Sequence, residues 1–437
     1  MKQVSRVFLT GGCVLIIIIS WIVVLGAKSN DQRQAALMAR AARYVQDEIY
    51  ILAAPLLEEA AGYNTAYTYD AEMLLKNVYL HLINQSGYRL KYISLLEKQM
   101  NRNDALPEVF SEAANFQIKN SKYSEAFTVL KKGIEKTKDE ELISLYESNR
   151  YLYQLRYETY EDVTAIHGSM VGVLKDGLWG IANSDGSAGI PCQYEKISTY
   201  SAGRAIVQKN GVIYAVDNSN NRLALLKEEV LDIGNYAGGC LALLTNEGWK
   251  RATGDFEIES RVFEEIGTYS HGYAAAKENG KWGLIDRSST WLIPAGYENI
   301  IRDELGRSYA QGAVFVQEAG LVYLFLDGRQ VGDTYEDAKP FSAQGYAAVK
   351  NNGRWGFIDP SGEVKIGYQF EDALSFGQHL AAIKQGGLWG YINLDGKIVI
   401  EPIFLEAKSF GDGNAPVLTE RGWQFISLLE YRKGASL

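Results

Sequence analysis

The sequence is poor in cysteine, histidine and proline, with three, four and eight residues of each among 437. Three cysteines without a Cys-x-x-Cys spacing are too few for a disulfide framework or a zinc-binding motif. The histidines are scattered, and no phosphate-binding loop, dinucleotide fingerprint or nucleophile elbow occurs. We therefore expect a non-enzymatic protein, with no catalytic residues, no cofactor and no metal site.

Charge of one sign is not concentrated anywhere in the chain. The net charge is −9 and no basic block is present, so nucleic acid is not expected as a partner. A hydrophobic fraction of 47% with 12% aromatic residues excludes disorder and is typical of a globular protein. The length suits two or three domains.

Only one long apolar run occurs. Residues 7–26 are 20 consecutive uncharged positions, and a helix of that length spans about 30 Å of hydrocarbon. The run exceeds the roughly 7–15 apolar residues of a signal peptide. It predicts a transmembrane anchor at 7–27 behind a cytoplasmic tail at 1–6, with a cleaved signal sequence as the alternative.

The charges that flank this run favour one orientation. Lys2, Arg6 and the amino terminus precede it, whereas four basic residues follow it: Lys28, Arg33, Arg40 and Arg43. Because short basic tails stay in the cytoplasm, we expect a single-pass membrane protein with most of its chain outside the cytoplasm. A scaffold facing the cytoplasm remains the alternative.

Residues 31–160 carry apolar side chains at helical spacing and few glycines. The pattern predicts helices near 33–61, 69–84, 88–101, 107–119, 122–137 and 140–158. Lys122–Gly133, with Tyr123, Ala126 and Phe127, resembles the second helix of a tetratricopeptide repeat. An irregular helical bundle or stalk is the alternative.

From residue 166 onward, a Trp-Gly string recurs at a nearly constant interval. Gly280–Asp286 returns as Gly353–Asp359, Gly387–Asn393 and Gly177–Asn183. The regular spacing indicates a repeat architecture, in which the interval from Trp282 to Tyr323 is the longest. We expect the aromatic anchors of the repeats to be core residues: Trp179, Tyr214, Trp249, Trp282, Tyr323, Trp355, Trp389 and Trp423.

Each repeat reads as a three-stranded meander. Dipeptides such as Asn279-Gly280 and Asn352-Gly353 favour the tight turns of β-hairpins, and Asp359–Gly362 supplies the next turn. One meander is too small to bury its own face, so the repeats must stack on each other. A strand at Met170–Leu174 and one at Trp423–Ser427 are expected to complete one split unit.

The repeat resembles the bacterial WG-repeat family. The match is clearest in Trp355–Asp359, the turn Pro360–Gly362 and the strand at Leu380–Ile383. The resemblance implies a β-repeat interaction domain at 166–430 and no catalytic residues. The predicted fold is therefore α+β and multidomain, with a transmembrane helix, a tetratricopeptide-like helical region and about seven three-stranded units that form a propeller or an open β-superhelix.

Residues that break the repeat are the candidates for binding a partner. Trp291 is out of register, and Arg302 and Arg307 lie in the segment that lengthens the interval before Tyr323; such an insertion is often a surface loop on the binding face. We expect a membrane-anchored scaffold that binds a protein or a cell-envelope polymer. The alternative is an envelope glycan hydrolase or lyase that uses acidic residues, although Glu264-Glu265 and Glu371-Asp372 read as solvated turn residues.

Overall fold

The computed structural model of the protein describes residues 29–431. Contacts divide the chain into two compact units, Met1–Tyr146 and Glu147–Leu437. The predicted boundary at 160–166 lies later, because the extended residues just after 150 belong to the second unit.

The first unit is helical. Its helices, within the described residues, cover 29–46, Tyr50–Ala61, Thr68–His81, Tyr88–Met100, Pro107–Lys119, Tyr123–Thr137 and Glu140–Asn149. The predicted helix at 33–61 is interrupted because Glu48 has a left-handed backbone (φ 59°). The last helix ends at Asn149 and not at 158 as expected. A single core that includes Leu57, Leu96 and Phe110 holds the helices together.

A membrane-spanning helix is not found between residues 29 and 431, where every helix is too short or too polar to cross a bilayer. The predicted anchor at 7–27 lies outside the described residues. It stays a prediction, as does the resemblance of the helical unit to tetratricopeptide repeats.

The second unit, which we call the head, is an eight-bladed β-propeller. Each blade is an antiparallel sheet whose first strand has only two residues and whose next three strands are longer. Blades 1 to 8 start at Asp162, Lys196, Asp232, Glu265, Asn299, Asp337, Asp372 and Glu406. The strands of blades 1 to 4 are Asp162–Val163, Met170–Lys175, Leu178–Asn183 and Ile190–Tyr194; Lys196–Ile197, Ala205–Lys209, Val212–Val216 and Arg222–Leu225; Asp232–Ile233, Cys240–Thr245, Gly248–Thr253 and Ile258–Phe263; Glu265–Ile266, Tyr273–Glu278, Lys281–Asp286 and Trp291–Tyr297.

The remaining blades repeat this order, and blade 5 has an additional short strand, Tyr309–Ala310. Their strands are Asn299–Ile300, Ala313–Glu318, Leu321–Leu326 and Arg329–Tyr335; Asp337–Ala338, Ala347–Asn351, Arg354–Ile358 and Val364–Phe370; Asp372–Ala373, Ala381–Gln385, Leu388–Ile392 and Ile398–Phe404; Glu406–Ala407, Asn414–Thr419, Gly422–Leu428 and, from the start of the unit, Tyr153–Leu155.

The expectation of about seven three-stranded units is wrong. The structure has eight four-stranded blades. The additional strand of each blade was not predicted because a two-residue first strand is too short to show any alternation in the sequence. The predicted split blade exists, but its composition differs: Tyr153–Leu155 pairs with Gly422–Leu428, whereas Met170–Lys175 pairs within blade 1.

Burial between blades shows that the ring is closed. Eight hydrophobic clusters lie in this unit, and each is shared mainly by two neighbouring blades. One of them joins Val171 and Val173 of blade 1 to Trp423 and Phe425 of blade 8. An open β-superhelix would lack this last cluster, so the propeller alternative is the correct one.

The aromatic anchors stand second in the third strand of their blades, except Tyr214 and Tyr323, which stand third. Tyr214, Trp282, Trp355, Trp389 and Trp423 are buried, at 8% exposure or less; Trp179, Trp249 and Tyr323 are half-buried. Trp355 and Trp389 lie opposite Phe370 and Phe404 of the fourth strand, and such cross-strand aromatic pairs stabilise a sheet.

The glycine that follows the tryptophan is required by a close backbone approach. In Trp389-Gly390, a Cβ on Gly390 would lie 2.5 Å from the carbonyl oxygen of Ile400. The register shifts at this point of the pairing, which brings the bulged fourth strand close to the third. The Trp-Gly dipeptide therefore combines a core side chain with the space that the bulge needs.

A glutamate before the first strand holds the turn between the second and third strands. Glu371 accepts backbone N–H groups of Gly386 and Gly387 at 3.0 and 2.9 Å, and Glu161 and Glu195 do the same in blades 1 and 2. Glu264, Glu298 and Glu336 also bind their turns. These glutamates are turn clamps; Glu264 and Glu371, predicted as solvated turn residues, are exposed and also bind their turns.

Trp389→Ala is expected to lower the free energy of unfolding of the head by about 3–5 kcal/mol, the usual cost of truncating a large core side chain. Chemical denaturation followed by circular dichroism measures it. Ile403→Ala in the same blade is the control, because Ile403 is 57% exposed and should change stability by about 0.5 kcal/mol or less. Equal effects of the two substitutions would contradict the core role of Trp389.

The Glu371 clamp should make stability depend on pH. The N–H groups of Gly387 and Gly386 lower the pKa of Glu371 below its ordinary value, so the clamp stabilises the fold above the ordinary glutamate pKa and its contribution is lost as pH falls through the lowered value. Glu371→Gln should lower the melting temperature at pH 7, and the difference from wild type should shrink towards pH 3. A difference that is constant with pH would contradict this assignment.

Candidate functional site at the channel mouth

The loops that join the first and second strands of the blades meet around the propeller axis. Several carry a small polar side chain two residues after the first strand, and these side chains link neighbouring blades. Thr199 Oγ1 donates to the carbonyl of Tyr236 at 2.7 Å, and Ser375 Oγ donates to the carbonyl of Pro340. This ring was not predicted, although the repeat register places Thr199, Asn235, Thr268, Ser375 and Ser409 at one position.

Blade 5 replaces that single residue by a longer loop, which we call the plug loop, residues 301–308. Asp303 organises it: one carboxylate oxygen accepts the backbone N–H groups of Leu305 and Arg307, each at 2.9 Å. The other carboxylate oxygen accepts a hydrogen bond from Nε of Arg307 at 2.7 Å. Gly306 has a positive φ of 79° and its N–H donates to the carbonyl of Asp303. The loop is thus a closed turn with its own internal hydrogen bonds.

The plug loop reaches several other blades. The carbonyl oxygen of Leu305 accepts hydrogen bonds from Asn235 Nδ2 of blade 3, at 3.0 Å, and from Thr268 Oγ1 of blade 4. Glu304 Oε2 accepts the backbone N–H and the hydroxyl of Ser409 in blade 8, at 3.2 and 2.6 Å. Leu305 itself is only 3% exposed. The insertion expected as a surface loop therefore lies largely buried in the central channel of the propeller, although Glu304 is exposed.

A cavity of about 400 Å³ opens beside the plug loop. Residues from blades 1 and 4 to 8 line it, and they combine charged, amide and apolar side chains. Its polar lining includes His271, Asp303, Glu304, Arg307, Gln311, Lys339, Gln344 and Gln378. This volume lies within the usual range for ligand sites of about 300–1,000 Å³.

The enclosed position changes the acid–base properties of the lining. Glu304 has free surface in the cavity but is surrounded by protein, and this desolvation raises its pKa above the ordinary value, against hydrogen bonds from Ser409 and the attraction of Lys408. Next to the lining residue Ile166, burial and the nearby Arg307 lower the pKa of His167, whereas Asp303 opposes the change. Among residues 29–431 no group of histidine, cysteine and acidic side chains is arranged to hold a metal ion.

The three residues predicted to bind a partner do not form one patch. Arg302 and Arg307 belong to the plug loop, but the Arg302 guanidinium lies over the ring of Trp282 at 4.2 Å. Arg307 is paired with Asp303 and lines the cavity. Trp291 lies in the outermost strand of blade 4, half-buried, with its ring 5.8 Å from that of Phe263 in an edge-to-face contact.

Leu305→Ala should distinguish a packed plug from a surface loop. A buried leucine of this kind usually contributes about 2–5 kcal/mol to the free energy of unfolding, so the variant should be destabilised by that amount in a denaturant titration. Leu405→Ala is the control, since Leu405 is 49% exposed and should change stability by about 0.5 kcal/mol or less. A Leu305→Ala protein as stable as wild type would mean that the loop does not pack in the channel.

Comparison with known structures gives only distant similarities. A crystal structure of a eukaryotic initiation factor is 8% identical with a TM-score of 0.39, covering 65% of this chain and 88% of its own. The WD40 domain of SCAP from fission yeast is 6% identical with a TM-score of 0.38, covering 64% and 98%. The Pan2 WD40 domain of Neurospora crassa is 9% identical with a TM-score of 0.35, covering 61% and 89%. The sequence matches none of the curated proteins.

The repeats themselves match a known family model, described as WG containing repeat. Six matches cover residues 179–212, 253–282, 282–304, 334–355, 355–389 and 389–423, and several of them begin or end at an anchor. Residues 213–252 and 305–333 lie outside the matches, and these stretches contain Tyr214 and Tyr323 where other blades have tryptophan. The resemblance in the Trp-Gly strings is thereby confirmed, and the chain belongs to the WG-repeat proteins.

Proposed function

We propose that this protein is a non-enzymatic binding protein whose propeller head holds a protein or a cell-envelope polymer at the channel mouth. The observation that carries the proposal is the plug loop. Eight similar blades alone would give a face of nearly repeated loops, whereas the plug loop makes one side of the channel different from the other. The result is a single asymmetric cavity, which a specific partner can recognise.

The state of the charged groups supports binding over chemistry. Asp303 is occupied by Arg307 and by two backbone N–H groups, and Glu304 accepts two hydrogen bonds from Ser409. Glu371, one of the acidic residues considered for catalysis, clamps a turn. Groups held in this way suit a rigid, preorganised recognition surface.

Residues 7–27 support the second part of the proposal, that the head is tethered to the cell membrane with its bulk outside the cytoplasm. The support is the length of the uncharged run and the basic residues before it. An envelope polymer or another envelope protein would then be within reach of the channel mouth.

One observation favours the runner-up, an envelope glycan hydrolase or lyase. Glu304 has a raised pKa and lines the same cavity as Asp303, and glycoside hydrolases pair a protonated acid with a second carboxylate. Perturbed carboxyl groups in a cavity are candidates for catalysis. Asp303, however, is engaged by its own loop.

A crosslinking pull-down from intact cells, with a membrane-impermeant reagent, tests the proposal and reports the side of the membrane. We expect wild type to capture a defined partner. In the loop variant, a single threonine replaces residues 302–308, as at Thr268 of blade 4. This variant should lose the partner while keeping its circular dichroism spectrum. Gln385→Ala, at a turn on the opposite face, is the control. Equal capture by all three proteins would contradict binding at the channel mouth.

An assay with purified peptidoglycan sacculi separates binding from hydrolysis, because both can be measured in one sample. Glu304→Gln keeps an oxygen that can accept from Ser409, so binding should change less than about threefold, and neither protein should release soluble glycan. Release by wild type that Glu304→Gln lowers about 100-fold or more would establish the enzyme instead.

A further inference from the structure

The outer strand of blade 2, Arg222–Leu225, has a free edge. It is the last strand of its sheet, paired on one side with Val212–Val216, and no other strand within residues 29–431 pairs with its outer side. From Leu226 onward the chain leaves the sheet, and residues 226–231 run to blade 3 as an irregular segment. The outward N–H and C=O groups of the strand are a template for another strand.

Most other blades protect this edge. Prolines interrupt the outer strands of blades 1, 4 and 7, and charged side chains lie within those of blades 3, 5 and 6; these residues include Pro191, Pro294, Pro402, Glu259, Asp333 and Lys365. Both devices hinder the pairing of edges. In blade 2 the only charged residue of the strand is Arg222, whose guanidinium lies over the ring of Tyr214 at 4.1 Å. Leu223 to Leu225 are left without protection.

An exposed apolar patch accompanies the free edge. Leu223 is 47% exposed, Leu225 44%, Val212 44% and Leu231 60%. Leu231 stands where six of the blades have the glutamate clamp: its N–H donates to the carbonyl of Leu244 as that of Glu371 donates to Lys384. A repeat position that binds a turn elsewhere thus presents an apolar side chain here, and clustered exposure of this kind marks interaction sites.

Acidic side chains stand next to this patch. Glu228 and Glu229 line an open cavity of about 340 Å³ together with Val212, Leu226 and Leu231. Neither glutamate has an ion-pair partner within the described part of the chain. Two negative charges beside an apolar groove favour a positively charged occupant.

We propose that an extended peptide segment of a partner protein binds here as a fifth strand of blade 2, with apolar side chains at alternate positions on the leucine patch and a lysine or arginine at Glu228 and Glu229. Backbone hydrogen bonds to the free edge supply affinity, and the patch and the acidic pair supply specificity. This site is separate from the channel mouth, so it does not depend on the function proposed there.

A second copy of the chain is the less suitable occupant. Two identical edges paired around a twofold axis bring the same surface of both copies together. Each copy carries a net charge of −9, so the two chains would repel each other. Like charges brought together at an interface oppose pairing.

Selection from a random library of displayed ten-residue peptides, with the full-length chain as the target, tests the proposal. We expect enriched peptides to alternate apolar residues and to contain lysine or arginine. A labelled consensus peptide should bind Leu223→Asp at least tenfold more weakly than wild type, and the double variant Glu228→Gln, Glu229→Gln should also bind it more weakly. Leu405→Asp, at the clamp position of blade 8, should bind it like wild type.

Several results would overturn the proposal. These are the absence of any enriched pattern, equal binding by wild type and a folded Leu223→Asp protein, and undiminished binding of a consensus peptide with N-methylated backbone at alternate residues. Sedimentation is the further measurement: a wild-type dimer that Leu223→Asp converts to monomer would assign the edge to a second copy. Circular dichroism of every variant shows whether the head is folded.

Discussion

The whole head depends on a strand pairing between segments from its two ends. Tyr153–Leu155 pairs with Gly422–Leu428, the N–H of Arg156 donates to the carbonyl of Phe425 at 2.8 Å, and Gln424 Nε2 donates to the carbonyl of Arg156, 268 residues away. Each blade buries its faces only against its neighbours, so an open ring would expose apolar faces of blades 1 and 8. The pairing therefore secures a closed set of interblade clusters, and no blade is self-sufficient.

Within that ring, the features that the blades share and the features found in single blades have separate roles. The Trp-Gly dipeptide, the facing aromatic residue and the glutamate clamp recur because every blade must solve the same packing problem. The departures occur where the family pattern is weakest, in blades 2 and 5. Blade 5 sends the plug loop into the channel, and blade 2 has a short, unprotected outer strand. The shared features stabilise the head, and the departures give it two surfaces unlike the rest.

Much of this fold could be predicted from the sequence, because the regular return of the Trp-Gly string and the turn dipeptides are local signals. The first strand of each blade could not be predicted, because two residues carry no periodicity and their pairing partner lies in the next strand. Tyr153–Leu155 follows a helix and has no turn signal, so only its long-range partner makes it a strand. The predicted helix at 140–158 failed for the same reason.

The candidate site was predictable only in part. The long interval between Trp282 and Tyr323 located the insertion correctly, but its direction depends on Asn235, Thr268 and Ser409, which are distant in sequence. Likewise, Glu371 is exposed as predicted, but its clamp could not be predicted because it acts on N–H groups of a turn that lies beyond the whole second strand.

The split eighth blade also has a consequence for the order in which the protein is made. The residues that close the ring, 414–428, are made long after their partner strand at 153–155. Until residues 414–428 have been made, blade 1 has no neighbour on one side and the strand at 153–155 has no partner strand. The nascent head therefore carries unpaired edges and apolar faces for most of its synthesis, and a chain truncated before residue 414 retains them permanently.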